Sequence, residues 1–181
     1  SHSYFHSKKI TLDTYIADFL RCDSIISGYS NFAEFFRYPF LKEGDTKEKR
    51  DGFREFLSSR GCRNGYVSID ASDWYIDGRM NDTLKHFPDM DIMPFKEYYI
   101  AHIYSRATFY DSLAFALTGR HIKHTLLLHH SALNAMFLGE LITYFKVKGW
   151  EFVNASDAYT DEIYKMQPDI LPAGESIIWA A

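Results

Sequence analysis

Apolar and polar positions alternate between two periods along this chain. In "TLDTYIADFLRCDSIISGY", Leu12, Tyr15, Ile16, Phe19 and Leu20 recur at helical spacing. "AEFFRYPF" is a short aromatic run stopped by Pro39, and it predicts a strand. "DTKEKRDGFREFLSSRG" predicts a helix, with Asp45 and Glu48 spaced as a capping box and Gly61 as its stop. "YVSID" predicts a compact strand. "PFKEYYIAHIYSRATFYDSLAFALTG" predicts a long helix with Pro94 in its first turn and Gly119 at its end. "TLLLHH" predicts a buried strand, "ALNAMFLGELITYFKVKG" a helix ending at Gly149, "EFVN" a last short strand and "ASDAYTDEIYK" a short helix.

Strands alternating with helices predict an α/β fold with a parallel sheet, for which a layered sandwich and a barrel both fit. A clustering of polar residues leans toward the barrel. Arg37 ends "EFFR", Asp70 ends "YVSID" and His129 ends "TLLLH". The carboxyl ends of parallel strands are where such folds place their chemistry.

Composition narrows the function classes. A chain of 181 residues predicts a single domain over 1–181. Its net charge of −4 argues against a nucleic-acid partner and supplies no polybasic membrane patch. No apolar run is long enough to span a bilayer. Cys22 and Cys62 form no C-x-x-C motif, so two buried thiols are expected, with one disulfide as the alternative. The 13 tyrosines and 15 phenylalanines are expected mostly in the core, with some free to line a sugar groove.

Four short stretches carry candidate chemistry. His2 and His6 in "SHSYFHS" stand four apart, which places both rings on one side of a helical turn and suits a shared metal ion. The alternative is a pair of idle, solvated rings or the remnant of a tag. In "FFRYPFLKEGDT", Arg37 is either a surface charge or a clamp on a carboxylate, while Pro39 and Gly44 shape a loop able to aim a backbone N–H at an oxyanion. In "VSIDASDWYID", Asp70, Asp73 and Asp77 lack the pattern of a calcium loop. Asp73 and Trp74 pair a carboxylate, suited to holding a cation, with an indole wall, unless the stretch is an ordinary strand exit. In "HTLLLHHSALNA", His129 leaves a buried strand where an imidazole serves as acid or base near neutral pH. His130 is expected on the opposite side, and His121 and His124 in solvent.

"HSYFH", "RYPFLKEG", "SIDASDW" and "LLLHHS", in this order, resemble successive motifs of the polysaccharide deacetylases, carbohydrate esterase family four. The resemblance extends through "LNAMFLGELITYFKVKGWEFVNASDAY" and so covers nearly the whole chain. It implies a deformed (β/α) barrel and metal-dependent removal of acetyl groups from N- or O-acetylated sugars. By resemblance, His2 and His6 are ligands to a divalent metal, usually zinc. Arg37 orients the catalytic base, and Phe40 offers its backbone N–H to the oxyanion. Asp73 and Trp74 form a motif whose indole walls the acetyl pocket. His129 protonates the leaving amine or alcohol. The expected partner is an acetylated carbohydrate, and the expected location, from the family alone, is secreted or at the cell envelope.

The chain departs from the family at its first motif. T-F-D-D is absent, and no Asp-Asp pair occurs anywhere. The family's general base and third metal ligand belong to that pair. The chain is therefore read as a barrel lacking its first strand or strands, weakly active or inactive alone, with an upstream segment or a dimer partner completing it. Two rival readings remain open: a non-catalytic glycan-binding module, and a metal-dependent amidase acting on another C–N bond.

Overall fold

Helix-favouring stretches with clear caps dominate the architecture. The computed structural model describes residues 4–171 and 176–181. In chain order it contains α1 (Leu12–Ile26), β1 (Phe35–Phe36), α2 (Lys47–Ser59), β2 (Arg63–Asn64), β3 (Ile69–Asp70), α3 (Asp73–His86), α4 (Met93–Thr118), β4 (Leu126–Leu127), α5 (Ala132–Val147), α6 (Ala155–Ala158) and α7 (Ile177–Ala180). Single 3₁₀ turns lie at Pro39–Leu41 and Glu162–Lys165. Thr11, Thr46 and Ser131 cap α1, α2 and α5 by accepting the N–H of the residue three positions on. Thr46 thus takes the capping role expected of Asp45, whose carboxylate instead holds the Lys49 ammonium at 2.6 Å. Gly119, at φ 73°, ends α4 in the left-handed conformation that a side chain resists.

The expected (β/α) barrel is not the fold. The molecule is 57% helix and 5% strand, with seven α-helices among the described residues. The strands form two separate parallel pairs, Phe35–Phe36 against Arg63–Asn64 and Ile69–Asp70 against Leu126–Leu127. A barrel needs each strand paired on both sides around a closed ring. Among the described residues every strand has two residues and one partner, so neither pair curves or closes. "EFVN", expected as a strand, is exposed and unpaired in any ladder. "DWYID", for which a strand exit was the alternative reading, opens α3. The alternation of strand and helix does survive locally, because each parallel pair is bridged by helix, as a parallel connection requires.

The chain divides into two compact units. The first comprises Ser1–Val67 with Tyr164–Ala181. Its core is aromatic: Phe5 stacks on Tyr15 with centroids 4.1 Å apart, and Phe53, Tyr38 and Phe19 close around them. Most of the tyrosines and phenylalanines named here are thus packing residues. The buried Glu43 carboxylate is met by Arg54 Nε at 2.6 Å and Asn64 Nδ2 at 3.2 Å. Arg54 also donates to the Pro168 carbonyl, and Arg50 to Asp169, so α2 ties down the returning segment. Cys22 and Cys62 are both free thiols.

The second unit, Ser68–Ile163, packs α3, α4 and α5 against one another, with β3 on α4. Its short strand pair is fastened by side chains. The Thr125 N–H donates to Ser68 Oγ at 2.8 Å, and the Ser68 N–H donates back to the Thr125 carbonyl. His124, expected in solvent, has only 5% of its side chain exposed. Its Nδ1 lies 3.1 Å from Ser68 Oγ and its Nε2 3.2 Å from Asp111 Oδ1. His121 is solvent-exposed as expected and shares the same carboxylate at 2.9 Å.

Burial pushes the His124 pKa below its ordinary value of 6.5, with Asp111 acting in the opposite direction. The unfolded chain therefore binds this proton at a higher pH than the folded one. The stability from a neutral His124 is fully present above about pH 6.5 and is lost as the pH falls below it. Thermal unfolding between pH 7.5 and roughly 5 should show a steeper acid loss in the natural chain than in His124→Gln. Parallel curves for the two would contradict this account.

Candidate functional site

A buried carboxylate organises the candidate site in the second unit. Asp73 opens α3 and has no solvent exposure. Placing an acid in the first helical turn suits the helix dipole. Ser72 before it adopts φ 52°, a left-handed conformation that sets the direction in which α3 departs. Asp73 and Asp77 then fall one turn apart on one face of α3. Both grip the connection between β4 and α5. Asp73 Oδ1 lies 2.7 Å from His129 Nδ1, and its Oδ2 accepts the His129 backbone N–H at 2.7 Å. Asp77 Oδ1 accepts the Leu133 N–H at 2.9 Å, and its other oxygen takes Asn81 Nδ2.

Two neutral residues complete the cluster. Asn134 Nδ2 donates to Asp73 Oδ2 at 2.5 Å and to the His129 carbonyl at 2.8 Å. The Tyr99 hydroxyl, on α4, donates to Asn134 Oδ1. Tyr99 is fully buried, and burial first, then the charge of Asp73, holds its hydroxyl well above the ordinary tyrosine pKa. The His129 side chain, by contrast, is 45% exposed. A carboxylate on Nδ1 requires the proton there, which leaves Nε2 to face solvent or substrate. Trp74, 56% exposed, and Tyr75 stand beside Asp73 with their rings edge to face at 6.0 Å.

His6, Arg37 and Phe40 lie in the first unit. His2 falls outside the described residues. His6 lies against Tyr4 and Phe40, at 6.0 and 5.8 Å between ring centroids. Its Nδ1 is buried with no hydrogen-bond partner among the described residues. Arg37 is exposed, and its Nε donates to the Gly65 carbonyl at 3.0 Å. Phe40 and Leu41 both adopt left-handed angles, φ 56° and 58°. Two consecutive side chains in that region cost roughly 1–2 kcal/mol each. The strained turn holds the Phe40 ring outward, 62% exposed and 5.3 Å from Tyr4.

Asp73 and His129 are thus brought together, as are His6 and Phe40. The carboxylate on His129 is Asp73, a pairing that spacing alone does not identify. Asn134 and Tyr99 were not legible as site residues, because neither type signals chemistry in a helical stretch. The metal expectation rests on His6 and on His2, which lies outside the described residues. Among the described residues, no three His, Cys, Asp or Glu side chains converge to hold an ion. These residues do not make the three-ligand centre that a catalytic zinc uses. No step below is routed through a metal.

No family model, no curated protein and no solved structure matches this chain. Among the described residues, no helix is long and apolar enough to cross a membrane.

Asp73→Asn would place an amide NH₂ against the donors of His129 and Asn134 inside a buried cluster. It should destabilise the protein by about 2–4 kcal/mol in urea denaturation. A change under roughly 0.5 kcal/mol, the size of an ordinary surface substitution, would mean that the carboxylate is not the organising group.

Proposed function

We propose that this chain is a hydrolase that removes acetyl groups from an acetylated carbohydrate, with His129 protonating the departing sugar nitrogen or oxygen. The observation that carries the reading is the pairing of an exposed imidazole with a fully buried carboxylate at 2.7 Å. In such a pair the carboxylate fixes the ring and stabilises the imidazolium, as in other hydrolytic dyads. Hydrolysis adds water to the acetyl carbonyl, the water's proton passing to solvent from which His129 is later recharged, and breaks the carbonyl's C–N or C–O bond to the sugar. His129 Nε2 gives its proton to that nitrogen or oxygen, leaving a neutral ring that keeps its proton on Nδ1. The products are acetate and the deacetylated sugar.

The carbohydrate class is supported by the four ordered motifs and by the exposed Trp74 and Tyr75 rings, which follow Asp73 in the first turn of α3. Flat aromatic faces bury the apolar face of a sugar ring while its hydroxyls stay wet. Zinc belongs to the family resemblance, and the assay includes it for that reason.

A second reading, a glycan-binding module without catalysis, is favoured by the absent Asp-Asp pair. Acetate release and binding of an acetylated chito-oligosaccharide, each with and without added zinc, separate the two. Deacetylation predicts acetate release that His129→Gln lowers about 100-fold while binding is retained. Binding with no acetate under either condition selects the module. Neither binding nor acetate would refute both.

A further inference from the structure

We propose that Tyr99 and Asn134 are positioning residues for His129, forming a directed chain of hydrogen bonds through Asp73 that sets how tightly the imidazole holds its proton. The inference rests on the reading of His129 as the proton donor, but its physical content is independent of the substrate.

Chemistry fixes the direction of the chain. The Asp73 carboxylate and the His129 carbonyl are both acceptors, so the Asn134 group facing them must be its NH₂. Its Oδ1 therefore faces Tyr99, and the tyrosine hydroxyl must donate. Each bond polarises the next: a proton donated to Oδ1 makes the NH₂ a better donor to Asp73. Asp73 Oδ2 then carries two donors, the Asn134 amide and the His129 N–H, while Oδ1 is left for the ring.

Donors on Oδ2 spread the carboxylate charge and make Asp73 a weaker base toward Nδ1–H. That weakens its hold on the imidazolium, so the proton on Nε2 leaves more readily. Without Asn134, Asp73 would lean its charge on His129, and the histidine pKa would rise. The arrangement is a means of tuning an acid with neutral groups alone. The surrounding titratable groups are otherwise engaged. Asp77 on α3 is held by Leu133 and Asn81, and His102 on α4 lies 2.9 Å from the Ala71 carbonyl. His130 is exposed, and α5 contributes the uncharged Asn134.

The cluster spans three helices. Tyr99 comes from α4, Asn134 from α5 and Asp73 from α3. Tyr99 reaches the reacting ring only through two intermediaries, and so does not itself touch substrate.

The test is a ¹H–¹⁵N NMR titration of the His129 ring in the natural chain, Tyr99→Phe and Asn134→Ala. Tyr99→Phe removes one oxygen and keeps the ring. The expected result is a His129 pKa raised by about 0.5–1 unit in Asn134→Ala and by a smaller, same-direction shift in Tyr99→Phe. A purely structural role would lower the thermal midpoint and leave the titration in place. An unmoved His129 pKa in Tyr99→Phe, even if Asn134→Ala fails to fold, would overturn the proposal. Acetate release measured on the same samples keeps the two inferences apart. A shifted pKa with no acetate from any sample sinks the deacetylase reading and leaves the chain standing. Acetate that needs His129 while its pKa ignores both substitutions does the reverse.

Discussion

The burial of the Asp73 carboxylate is the constraint on which the second unit's site depends. An ionised carboxylate removed from water loses several kcal/mol of hydration unless donors replace it. Three donors do so, from the His129 backbone, the His129 ring and the Asn134 amide. Each bond fixes a different degree of freedom. The backbone N–H fixes the chain path after β4, the ring bond fixes the imidazole's rotation and tautomer, and the amide bond fixes the first turn of α5. Asp77 repeats the device one turn along α3 by holding the Leu133 N–H. The segment His129–Asn134 is therefore held by side chains of α3 and not by a sheet.

The first unit shows the same logic on a different scaffold. Its buried charge is Glu43, met by Arg54 and Asn64, and its apolar interior is built mainly from aromatic rings, with Leu57 among them. Aromatic packing is directional, since offset and edge-to-face contacts are preferred over free sliding. Such a core can hold the turn at Phe40 and Leu41 in a conformation that neither residue favours. Strain of this kind persists only where the surroundings over-determine it. Lys42 and Leu41 both return N–H bonds within the turn, to Pro39 and Tyr38, and Tyr38 is itself buried in the ring cluster.

Much of the helical content was legible because it announces itself locally. Leu12–Ile26, Met93–Thr118 and Ala132–Val147 carry caps, a first-turn proline or glycine stops, and they formed where expected. The strands were overread. "EFFR", "YVSID" and "TLLLH" do pair in parallel, but over two residues each, because pairing needs neighbours that sequence periodicity cannot count. The helix Asp73–His86 was missed since its apolar positions are sparse and its caps are weak: Ser72 makes no side-chain cap bond. His124 was misplaced because a histidine before a strand looks solvated until the carboxylate of a distant turn of α4 is seen beside it. For the site, His129 and Asp73 stood out by residue type. Their pairing did not, as it links positions 56 residues apart through the packing of α3 on α5.

The loss of the barrel leaves the logic of the site intact. A parallel sheet places chemistry at its carboxyl end because the strands stop there together and the helices begin there. Leu126–Leu127 beside Ile69–Asp70 is the smallest pair that can do this. Two residues beyond β4 comes His129, and three beyond β3 comes Asp73 at the start of α3. The pair sets the starting points of two connections side by side, and the carboxylate then draws them together. What a full sheet would supply in rigidity comes here from Asn134 and Tyr99 behind the carboxylate, each buried and each already bonded. Rigidity at the imidazole is thus a property of a polar cluster clamped by three helices, and it depends on every member being satisfied.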